Sequence, residues 1–594
     1  MDMTLRHFFA AAAALSLILV SCGNPADPDP TPTPTPTPEP PVEVNEINGT
    51  KIQDGMTACG LIKDSSTGKG IAGIPVTDGY SYVVTDANGV YQMAANRFCR
   101  KIYMSVPANY KIPLDAATHM PKIYSDGNYD KSKVNRFDFT LESQAEETNF
   151  TLLMIGDPQC QNTKQSGRYI AETIPDMQST LNIYNPQGKY TNVYGVTLGD
   201  VTFDSYDMWG TMKSSMSNIK LQDGSYLPIF QCIGNHDHNS KAQNSDYEAT
   251  GAFVENFGPT DYSFDRGKAH IVVMDDIMVT SVSSNSSPNG FTWSYNGGFT
   301  EAQFNWLKAD LDLVKDKADK VVFLCMHIPM RAGATSGGSN VNKDAYYADV
   351  LNLLKQFYNA HIMIGHTHYP QNYIHTSYKC KSGKPIYEHI HGAACGGWWS
   401  CNSNVTGAPN GYSLYEIEGA KVKNWVAKGT KRDIDYQIRV YDGDQIYTGS
   451  KGYRYCWYTN KLNGETINVG GSGNYAAKYS AAAKDCLVAE IWDDDGSNWK
   501  VELYKGDVKV GNFTRMADKS SCNIAITSYF FNELGKNSDS WTNYTASHYW
   551  YYKPASGVPS SEKDWTVKAT QTIPDSGEVN EYFCTAFTTD YSQF

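Results

Sequence analysis

Five apolar runs in the middle of the chain each stop at residue types that can bind a metal ion. Two runs end in Gly-Asp, one ends in Gly-Asn-His-Asp, and two lead into histidine. Oxygen and nitrogen donors of these types suit Zn, Mn and Fe, and the neighbouring glycines allow sharp turns. The pattern therefore predicts a metal site assembled from distant parts of the chain. The candidate ligands are Asp157, Gln159, Asp200, Asn235, His327, His366 and His368.

The apolar runs themselves predict the elements that position these residues. Their length and continuity are typical of strands buried on both faces. Between two of them, a helical pattern follows the capping residue Thr300 and carries apolar residues at positions 304, 307, 311 and 314. Strands that alternate with helices indicate an α/β sheet, in which ligands collect beyond the carboxyl ends of the strands. The runs cover residues 151–155, 193–198, 227–233, 321–326 and 361–364.

The order and spacing of the five motifs resemble those of the calcineurin-like metallophosphoesterase family. The family's ordered blocks are DxH, a GDxxD-like block, GNHD, a single His and GHxH. In this chain they fall at residues 157–159, 199–204, 234–237, 327 and 365–368. The resemblance covers residues 148–420 and implies an α/β fold, the αββα metallophosphoesterase sandwich. The flanks are similar to those of exported bacterial members that carry extra N- and C-terminal β-domains.

The resemblance also implies a centre with two metal ions. The first metal would be held by Asp157, Gln159, Asp200 and His368, and the second by Asp200, Asn235, His327 and His366. Asp200 would bridge them, because two cations about 3.5–4 Å apart need a shared anionic ligand. A water between the ions would become hydroxide near neutral pH and attack phosphorus in line. The ligand set leaves the choice among Mn, Zn and Fe, divalent or trivalent, open.

His236 is the expected general acid of this centre. In the family, the histidine next to the Asn ligand contacts the phosphate and the leaving oxygen. It is therefore expected to donate a proton and to stabilise developing charge. The neighbouring Asp237 is expected to orient His236 through its other ring nitrogen.

Gln159 departs from the family pattern, which usually has His at this position. Gln can coordinate through its carbonyl oxygen, but it is a weaker and harder ligand than imidazole. Some members of the family carry the same Asp-Pro-Gln sequence, so we expect activity with a weaker first metal site or an altered metal preference. The alternative is a partly degenerate site.

Four further residues are weaker candidates for substrate binding. Asp204 lies in the second motif, where it would contact a ligand or cap a helix. His238 lies beside the third motif. Trp398 and Trp399 follow the last motif among small residues, where they would line a substrate pocket or pack in the core. The Gly-rich stretch 332–340, after the fourth motif, would form a lid or a surface connection.

The N-terminus predicts export and lipid attachment. Basic residues precede an apolar run at 8–20, which is shorter than the roughly 20 residues that span a bilayer and is typical of a secretory signal. It ends at Cys22 in a sequence that resembles the lipobox of bacterial lipoproteins; the alternative is an ordinary signal peptide. We expect a signal peptide at 1–21, a Pro/Thr-rich tether at 22–46, and a lipid-anchored protein on the periplasmic or outer face of a bacterial cell envelope.

Residues 47–145 and 421–594 read as β-rich domains on either side of the metal-binding region at 148–420. In the first, an Asp-Gly turn at 78–79 and an Asn-Gly turn at 88–89 indicate hairpins. This stretch resembles small immunoglobulin-like sandwiches of the carboxypeptidase-regulatory type. The second contains alternating strand patterns between Gly-rich turns. The first carries no cluster of catalytic residue types and is expected to act as a spacer or docking module. An alternative hypothesis makes the C-terminal domain a carbohydrate-binding module.

The cysteines do not form a zinc pattern. Export makes disulfides possible, and Cys59–Cys99 and Cys395–Cys401 are plausible bridges. Cys232 and Cys325 lie inside apolar runs, which indicates buried free thiols.

Composition narrows the function further. The chain has 50 Lys and Arg against 63 Asp and Glu, a net charge of −13, which excludes a nucleic-acid scaffold. The leading hypothesis is a membrane-tethered phosphoesterase that acts on phosphomonoesters or phosphodiesters of small molecules or glycans. The alternative is a non-catalytic lipoprotein that binds a phosphorylated ligand or a glycan through its β-domains and carries a degenerate metal site. The sequence does not specify an oligomeric state.

Overall fold

The fold is described by a computed structural model of residues 45–594. Within that range the description omits 184–191, 240–244, 285–290, 332–339, 445–460, 463–464, 467–482, 517–524, 527–528, 531–532, 536–547 and 559–564. The signal peptide, Cys22 and almost all of the tether lie outside the described residues. The Gly-rich stretch 332–340 lies outside them too, except for its last residue. None of the described helices is long and apolar enough to cross a membrane.

The N-terminal part of the described chain consists of short strands. They are β1 (Glu46–Ile47), β2 (Thr50–Lys51), β3 (Ala58–Asp64), β4 (Pro75–Thr77), β5 (Tyr82–Val84), β6 (Val90–Met93), β7 (Tyr103–Met104), β8 (Asn135–Arg136) and β9 (Phe139–Leu141). Strand β1 pairs with β2, β3 lies between β6 and β8 and also pairs with β9, and β4 lies between β5 and β7.

Only one of the two predicted hairpins in this region is correct. The turn at Asp78 and Gly79 joins the antiparallel strands β4 and β5. The turn at Asn88 and Gly89 instead joins β5 to β6, which lie in different sheets. The physical reason is that the Gly89 carbonyl accepts a hydrogen bond from the backbone N–H of Ile62 in β3 (2.9 Å), which draws the chain into the second sheet.

The central region contains two mixed sheets. Its strands are β10 (Asn149–Ile155), β11 (Val193–Leu198), β12 (Ile229–Cys232), β13 (Tyr262–Arg266), β14 (Ala269–Val273), β15 (Ile277–Ser284), β16 (Phe291–Gly297), β17 (Val321–Cys325), β18 (Asn359–Ile364), β19 (Tyr373–Lys379), β20 (Pro385–Ile390), β21 (Gly411–Glu418) and β22 (Lys421–Gly429). One sheet has the order β12-β11-β10-β21-β22 and the other β13-β14-β17-β18-β20-β19, while β15 and β16 form a separate hairpin. Strands β10 to β12, and likewise β14, β17, β18 and β20, run parallel.

The two sheets pack face to face between layers of helices. The helices are α1 (Thr163–Arg168), α2 (Ile174–Ile183), α3 (Trp209–Met216), α4 (Asp246–Phe257), α5 (Glu301–Leu313) and α6 (Ala348–Leu354). Between the sheets, the rings of Phe230 and Phe264 stack with centroids 3.9 Å apart. Helices α2 and α3 share an apolar cluster with the outer face of β10, and α5 and α6 share one with β17 and β18. This layer order confirms the predicted αββα sandwich.

Helix α5 forms where the sequence pattern places it. The Thr300 hydroxyl accepts from the backbone N–H of Gln303, and the side-chain oxygen of Gln303 accepts from the backbone N–H of Thr300. Two N–H groups at the start of the helix are thus satisfied together. Leu307 and Leu311 are buried, whereas Phe304 and Val314 are partly buried. The helix thus presents one apolar face to the sheet, as predicted.

The C-terminal region is β-rich, as predicted. Its strands are β23 (Ile438–Asp442), β24 (Lys461–Leu462), β25 (Glu465–Thr466), β26 (Leu487–Ile491), β27 (Trp499–Lys505), β28 (Val508–Asn512), β29 (Thr514–Arg515), β30 (Tyr549–Tyr552), β31 (Thr566–Thr572) and β32 (Val579–Cys584). Two sheets, β23-β26-β30-β29 and β28-β27-β31-β32, enclose a common apolar core that includes Val440, Val501 and Val567.

Buried hydrogen bonds join both flanking regions to the central one. On the N-terminal side, the Tyr82 hydroxyl donates to the carboxylate of Asp310 in α5 (2.8 Å). On the C-terminal side, the carboxylate of Asp493 accepts from the indole N–H of Trp425 (2.7 Å). Since an unpaired buried carboxylate is costly, these contacts fix where each region docks.

The predicted disulfides do not form, and the cysteines of the described residues are free thiols. The thiols of Cys59 and Cys99 donate to different backbone carbonyls, those of Asn135 (3.6 Å) and Lys101 (3.3 Å). Cys395 and Cys401 are likewise free and buried. The prediction failed because spacing alone does not bring two sulfur atoms together. Cys232 and Cys325 are buried free thiols, as predicted.

Candidate metal centre

The seven predicted ligands meet at one edge of the sandwich. Each follows the carboxyl end of a parallel strand, because β10, β11, β12, β17 and β18 all point towards this edge. Five of them, with residues from neighbouring loops, line an open cleft of about 430 Å³. These five are Gln159, Asp200, Asn235, His366 and His368. Asp157 and His327 lie directly beneath, fully buried.

Five of the seven residues adopt a left-handed backbone conformation. Their φ angles are +39° at Asp157, +43° at Gln159, +51° at Asp200 and +66° at both His366 and His368. For residues other than glycine, this conformation costs roughly 1–3 kcal/mol each and persists only where the surrounding structure imposes it. The strand ends therefore store strain in order to turn these side chains inward.

The glycines of the motifs are required by close approach. A Cβ atom on Gly199 would lie 2.3 Å from Nδ1 of His327, and one on Gly234 would lie 2.1 Å from the backbone nitrogen of Asp200. Both distances are far below van der Waals contact. Glycine is thus the residue type that lets these loops pack together.

Asp200 is the hub of the centre. It is 1% exposed. One carboxylate oxygen accepts from the backbone N–H of His236 (2.8 Å), and the other accepts from the side-chain amide of Gln159 (2.9 Å) and lies 3.4 Å from Nε2 of His327. Burial opposes the charge on Asp200, but His327 and His236 outweigh it and hold the pKa of this carboxyl well below its usual range.

Hydrogen bonding fixes the tautomer of His327. Its Nδ1 lies 2.7 Å from the carbonyl oxygen of Leu198; because a carbonyl can only accept, Nδ1 carries the proton there. In the neutral ring, the lone pair on Nε2 faces the centre, 3.0 Å from Oδ1 of Asn235. This is the orientation that a metal-binding histidine needs.

Three potential metal-ligand atoms crowd together at this point. Oδ1 of Asn235 also lies 3.0 Å from Nδ1 of His366, and that nitrogen lies 3.2 Å from Nε2 of His327. Burial opposes the charge on His327, but the Asp200 carboxylate outweighs it and raises the pKa of this histidine to about 10. A positive charge is therefore stabilised here, and a metal ion between the three donor atoms would supply it.

A second part of the centre lies around Asp157 and His368. Nε2 of His368 is 3.6 Å from a carboxylate oxygen of Asp157, and burial raises the pKa of Asp157 to about 8. Burial lowers the pKa of His368 to about 4, and its buried Nδ1 has no hydrogen-bond partner among the described residues. A neutral imidazole beside a carboxylate fits a cation. Ligand atoms of Asp157, Asp200 and His327 also lie within 4.8 Å of one another.

Gln159 faces the centre with its amide nitrogen rather than its carbonyl oxygen. The nitrogen donates to Asp200, while the oxygen lies 4.0 Å from the thiol of Cys395. Coordination through oxygen, as predicted, requires a half turn about the terminal Cγ–Cδ bond. That turn would give up the hydrogen bond to Asp200.

His236 stands at the cleft, and Asp204 holds it. Nδ1 of His236 lies 3.1 Å from Oδ1 of Asp204, and the ring stacks on Phe203 with centroids 4.0 Å apart. Burial opposes protonation, but Asp200 and Asp204 outweigh it and raise the pKa of His236. Since Nδ1 donates to Asp204, Nε2 is the atom left for a ligand.

The predicted role of Asp237 is wrong. Its carboxylate accepts hydrogen bonds from the backbone N–H groups of Gly234 (3.0 Å), Val201 (3.1 Å) and Thr202 (3.2 Å), and none from His236. The 3₁₀ turn at Asn235–Asp237 directs this side chain beneath the loops and His236 above them. Asp237 ties two motif loops together, and the orienting role belongs to Asp204.

The other substrate-binding candidates divide between cleft and core. Trp398 lines the cleft. Trp399 is buried and donates its indole N–H to the carbonyl of Pro158 (2.8 Å), so it supports the loop of the first motif. His238 is fully buried against Asp275 (3.1 Å), and its predicted place in the pocket is wrong because the chain becomes extended after the 3₁₀ turn.

Sequence reasoning missed three residues that line the cleft, Phe203, Tyr295 and Thr367. Phe203 and Thr367 lie inside recognised motifs, so position alone was a usable signal. Tyr295 lies on β16, in a hairpin that carries no motif, and nothing local in the sequence distinguishes it from the other tyrosines.

Comparison with protein families gives three matches that follow one another along the chain. The model for the N terminal of calcineurin-like phosphoesterase matches residues 56–144, the calcineurin-like phosphoesterase model matches 144–370, and the model for the C terminal of calcineurin-like phosphoesterase matches 388–575. No curated protein sequence matches the chain.

Solved structures include two similar ones. A purple acid phosphatase, PPD1, from seeds of yellow lupin (Lupinus luteus) has 13% identity and a TM-score of 0.32, over 47% of this chain and 52% of that one. The NAD nucleotidase NadN of Haemophilus influenzae has 11% identity and a TM-score of 0.25, over 48% and 50%. The chain thus spans about half the length of each.

We predict that Asp204→Asn lowers kcat for phosphoester hydrolysis about tenfold with little change in bound metal. The reason is that Asn cannot hold the protonated imidazole of His236, whose proton transfer is worth roughly 10²–10⁴ in total. Steady-state kinetics and elemental analysis would test this. Asp207→Asn, an exposed residue on the same loop, is the matched control. An unchanged kcat in Asp204→Asn would contradict the assignment.

We also predict that Gln159→His strengthens metal binding at the first site, by roughly tenfold, the size of a single change around a metal. An imidazole nitrogen coordinates without the amide turn that Gln159 requires. Competitive metal titration against a chelator measures the change, with Gln161→His as control. Equal affinities in Gln159→His and the parent chain would refute the prediction.

Proposed function

The chain belongs to the calcineurin-like phosphoesterase family, and we propose that this phosphoester hydrolase works with two bound metal ions. The single observation that carries the proposal is the convergence of Oδ1 of Asn235, Nε2 of His327 and Nδ1 of His366, which lie 3.0–3.2 Å from one another. These are oxygen and nitrogen atoms of the kind that bind Zn, Mn and Fe, and a ligand atom of His327 also lies within 4.8 Å of the buried carboxylates of Asp157 and Asp200. The centre therefore demands positive charge.

The seven ligands divide into two sets that share Asp200. The first ion would be held by Asp157, Gln159, Asp200 and His368, and the second by Asp200, Asn235, His327 and His366. When bound, such ions polarise phosphoryl oxygens and supply a nucleophile near neutral pH. Mn, Zn and Fe all suit this donor set.

His236 would donate a proton to the leaving oxygen. Its Nδ1 is bound to Asp204, so the proton on Nε2 is directed towards a ligand in the cleft. The stacking on Phe203 and the backbone bond to Asp200 hold the ring in one orientation, which is the preorganisation that general acid catalysis needs.

The proposed substrates are phosphomonoesters or phosphodiesters of small molecules or glycans. The cleft is open and about 430 Å³ in volume, so a phosphoryl group can reach the centre with its alcohol still in solvent. The net charge of −13 disfavours long polyanions, which the field of the protein would repel.

We further propose that the chain is exported and lipid-anchored through Cys22, at a bacterial cell envelope. The support is the short apolar run before Cys22 and the Pro/Thr-rich segment after it, which would act as a semi-rigid spacer.

Hydrolysis should depend on both metal and His236. Stripped enzyme should be inactive on para-nitrophenyl phosphate and bis-para-nitrophenyl phosphate, and Mn, Zn or Fe should restore turnover. His236→Asn should lower kcat by roughly 10²–10⁴, whereas His119→Asn, remote from the cleft, should not. The rate ratio of the two esters separates monoesterase from diesterase. Turnover that survives metal removal would contradict the two-metal proposal.

Cys22→Ser should abolish lipid attachment. Expressed in a bacterial host with labelled palmitate, the parent chain should carry label and sediment with membranes, because two or more attached acyl chains give stable anchoring. Cys584→Ser should keep the label. An unlabelled parent chain would overturn the lipoprotein proposal without touching the enzymatic one.

A further inference from the structure

A second cleft, of about 470 Å³, lies on the other side of Trp398 from the metal centre. We propose that it is a leaving-group subsite for a sugar that carries a second anionic group, so that the substrate is a phosphate ester of an acidic sugar. The inference rests on the proposed function, because the sugar would be the alcohol released by phosphoester hydrolysis. Its walls include Asn162, Lys164, Gln165, Arg168, Trp398 and Leu534.

Trp398 joins the two clefts, since its side chain lines both. The residue is half-buried and has a φ of +46°, and Trp399 after it has a φ of +61°. Two consecutive tryptophans in the left-handed region are strained, so other contacts must impose this conformation. A ligand that extends from the metal centre meets the Trp398 indole first.

Those contacts tie the Trp398 loop to the metal centre. The indole of Trp399 donates to the carbonyl of Pro158 (2.8 Å), the residue between two predicted metal ligands. The guanidinium of Arg168 donates to the backbone carbonyl of Trp399 (2.6 Å). The second cleft therefore keeps a fixed position relative to the site where phosphate would bind.

The charge in the second cleft is positive. Arg168 is already neutralised by Glu172, with two bonds of 2.8 and 3.0 Å. Lys164 is exposed and has no carboxylate partner among the described residues. Of the residues that the structure describes, no Asp or Glu lines the cleft. In a chain with a net charge of −13, an unpaired ammonium group beside an acid-free cleft favours an anionic ligand.

The polar groups of the cleft are hydrogen-bond donors. The side-chain oxygen of Asn162 already accepts from the backbone N–H groups of Lys164 and Gln165 (both 3.1 Å). The side-chain oxygen of Gln165 accepts from the backbone N–H of Gln161 (2.6 Å). The NH₂ groups of both amides have no partner within the described part of the chain and are left for a ligand.

These features together select the class of ligand. An indole face packs against the apolar face of a flat or ring-shaped group, and the amide donors need an acceptor-rich partner. The edges of bases offer fixed donors as well as acceptors. A sugar hydroxyl can accept from an amide while its own O–H rotates towards solvent, and a carboxylate only accepts. An acidic sugar thus matches indole, amides and Lys164 at once.

Two substrates that differ in one group test the proposal. We would measure kcat/KM of the full metal-loaded enzyme for glucuronic acid 1-phosphate and for glucose 1-phosphate. The parent enzyme should prefer the acidic sugar by about threefold to fivefold, the range expected of one partly exposed ion pair. Lys164→Gln should bring this ratio close to one, and Lys308→Gln, an exposed lysine on α5, should retain it.

A second variant tests the indole face. Trp398→Leu should lower kcat/KM for both sugar phosphates relative to glycerol 3-phosphate, whose alcohol is too short to cross the indole. The subsite would be overturned if the parent enzyme had the same kcat/KM for the acidic and the neutral sugar phosphate. It would also be overturned if the ratio of these two values were the same in Lys164→Gln as in the parent. Absence of metal-dependent turnover of any ester, para-nitrophenyl phosphate included, would overturn the proposed function and the subsite with it.

Discussion

Two buried carboxylates at neighbouring strand ends are the constraint on which the centre depends. Asp157 and Asp200 are almost fully inaccessible, and a buried charge costs several kcal/mol unless it is compensated. The protein supplies part of the compensation through backbone N–H groups, those of His366 for Asp157 and His236 for Asp200. The remainder requires positive charge, which the protonated His327 ring supplies and a metal ion bound to its Nε2 would supply in its place. The left-handed backbone, the glycines and the tautomer of His327 all follow from this arrangement.

The sandwich makes this arrangement possible. Parallel strands bring residues from distant sequence positions to one edge, and the face-to-face packing of the sheets places β17 and β18 opposite β10 to β12. The flanking regions are held against the sandwich by buried polar contacts. The carboxylate of Asp575, in the C-terminal region, accepts from the side chains of Asn359 and His361 (both 3.0 Å) on β18, the strand that precedes the last motif. The C-terminal region therefore braces a strand that carries metal ligands.

The same region also reaches the second cleft, where Leu534 forms part of the wall. In the proposed function, the metal centre would recognise the phosphoryl group alone. Selectivity would then come from surfaces that contact the alcohol, and the proposed subsite draws these surfaces from the loop of Trp398, helix α1 and the C-terminal region. The two parts of the site differ physically. The strand ends are strained and fixed in position, whereas the loops around them differ from one another in charge and shape.

The sequence by itself determined the strands, an α/β sheet and the set of residues at the strand ends, because burial on both faces and turn chemistry leave local patterns. The αββα sandwich followed from the resemblance of the ordered motifs to a known family. The sequence did not determine what lies beside what across the fold. The partner of His236 is Asp204 rather than the adjacent Asp237, His238 is buried, and Tyr295 reaches the cleft from a hairpin without a motif. The same limit explains the cysteine pairs that stay reduced. Direction and distance of side chains depend on backbone turns of a few residues and on packing between remote elements, and only the tertiary structure decides these.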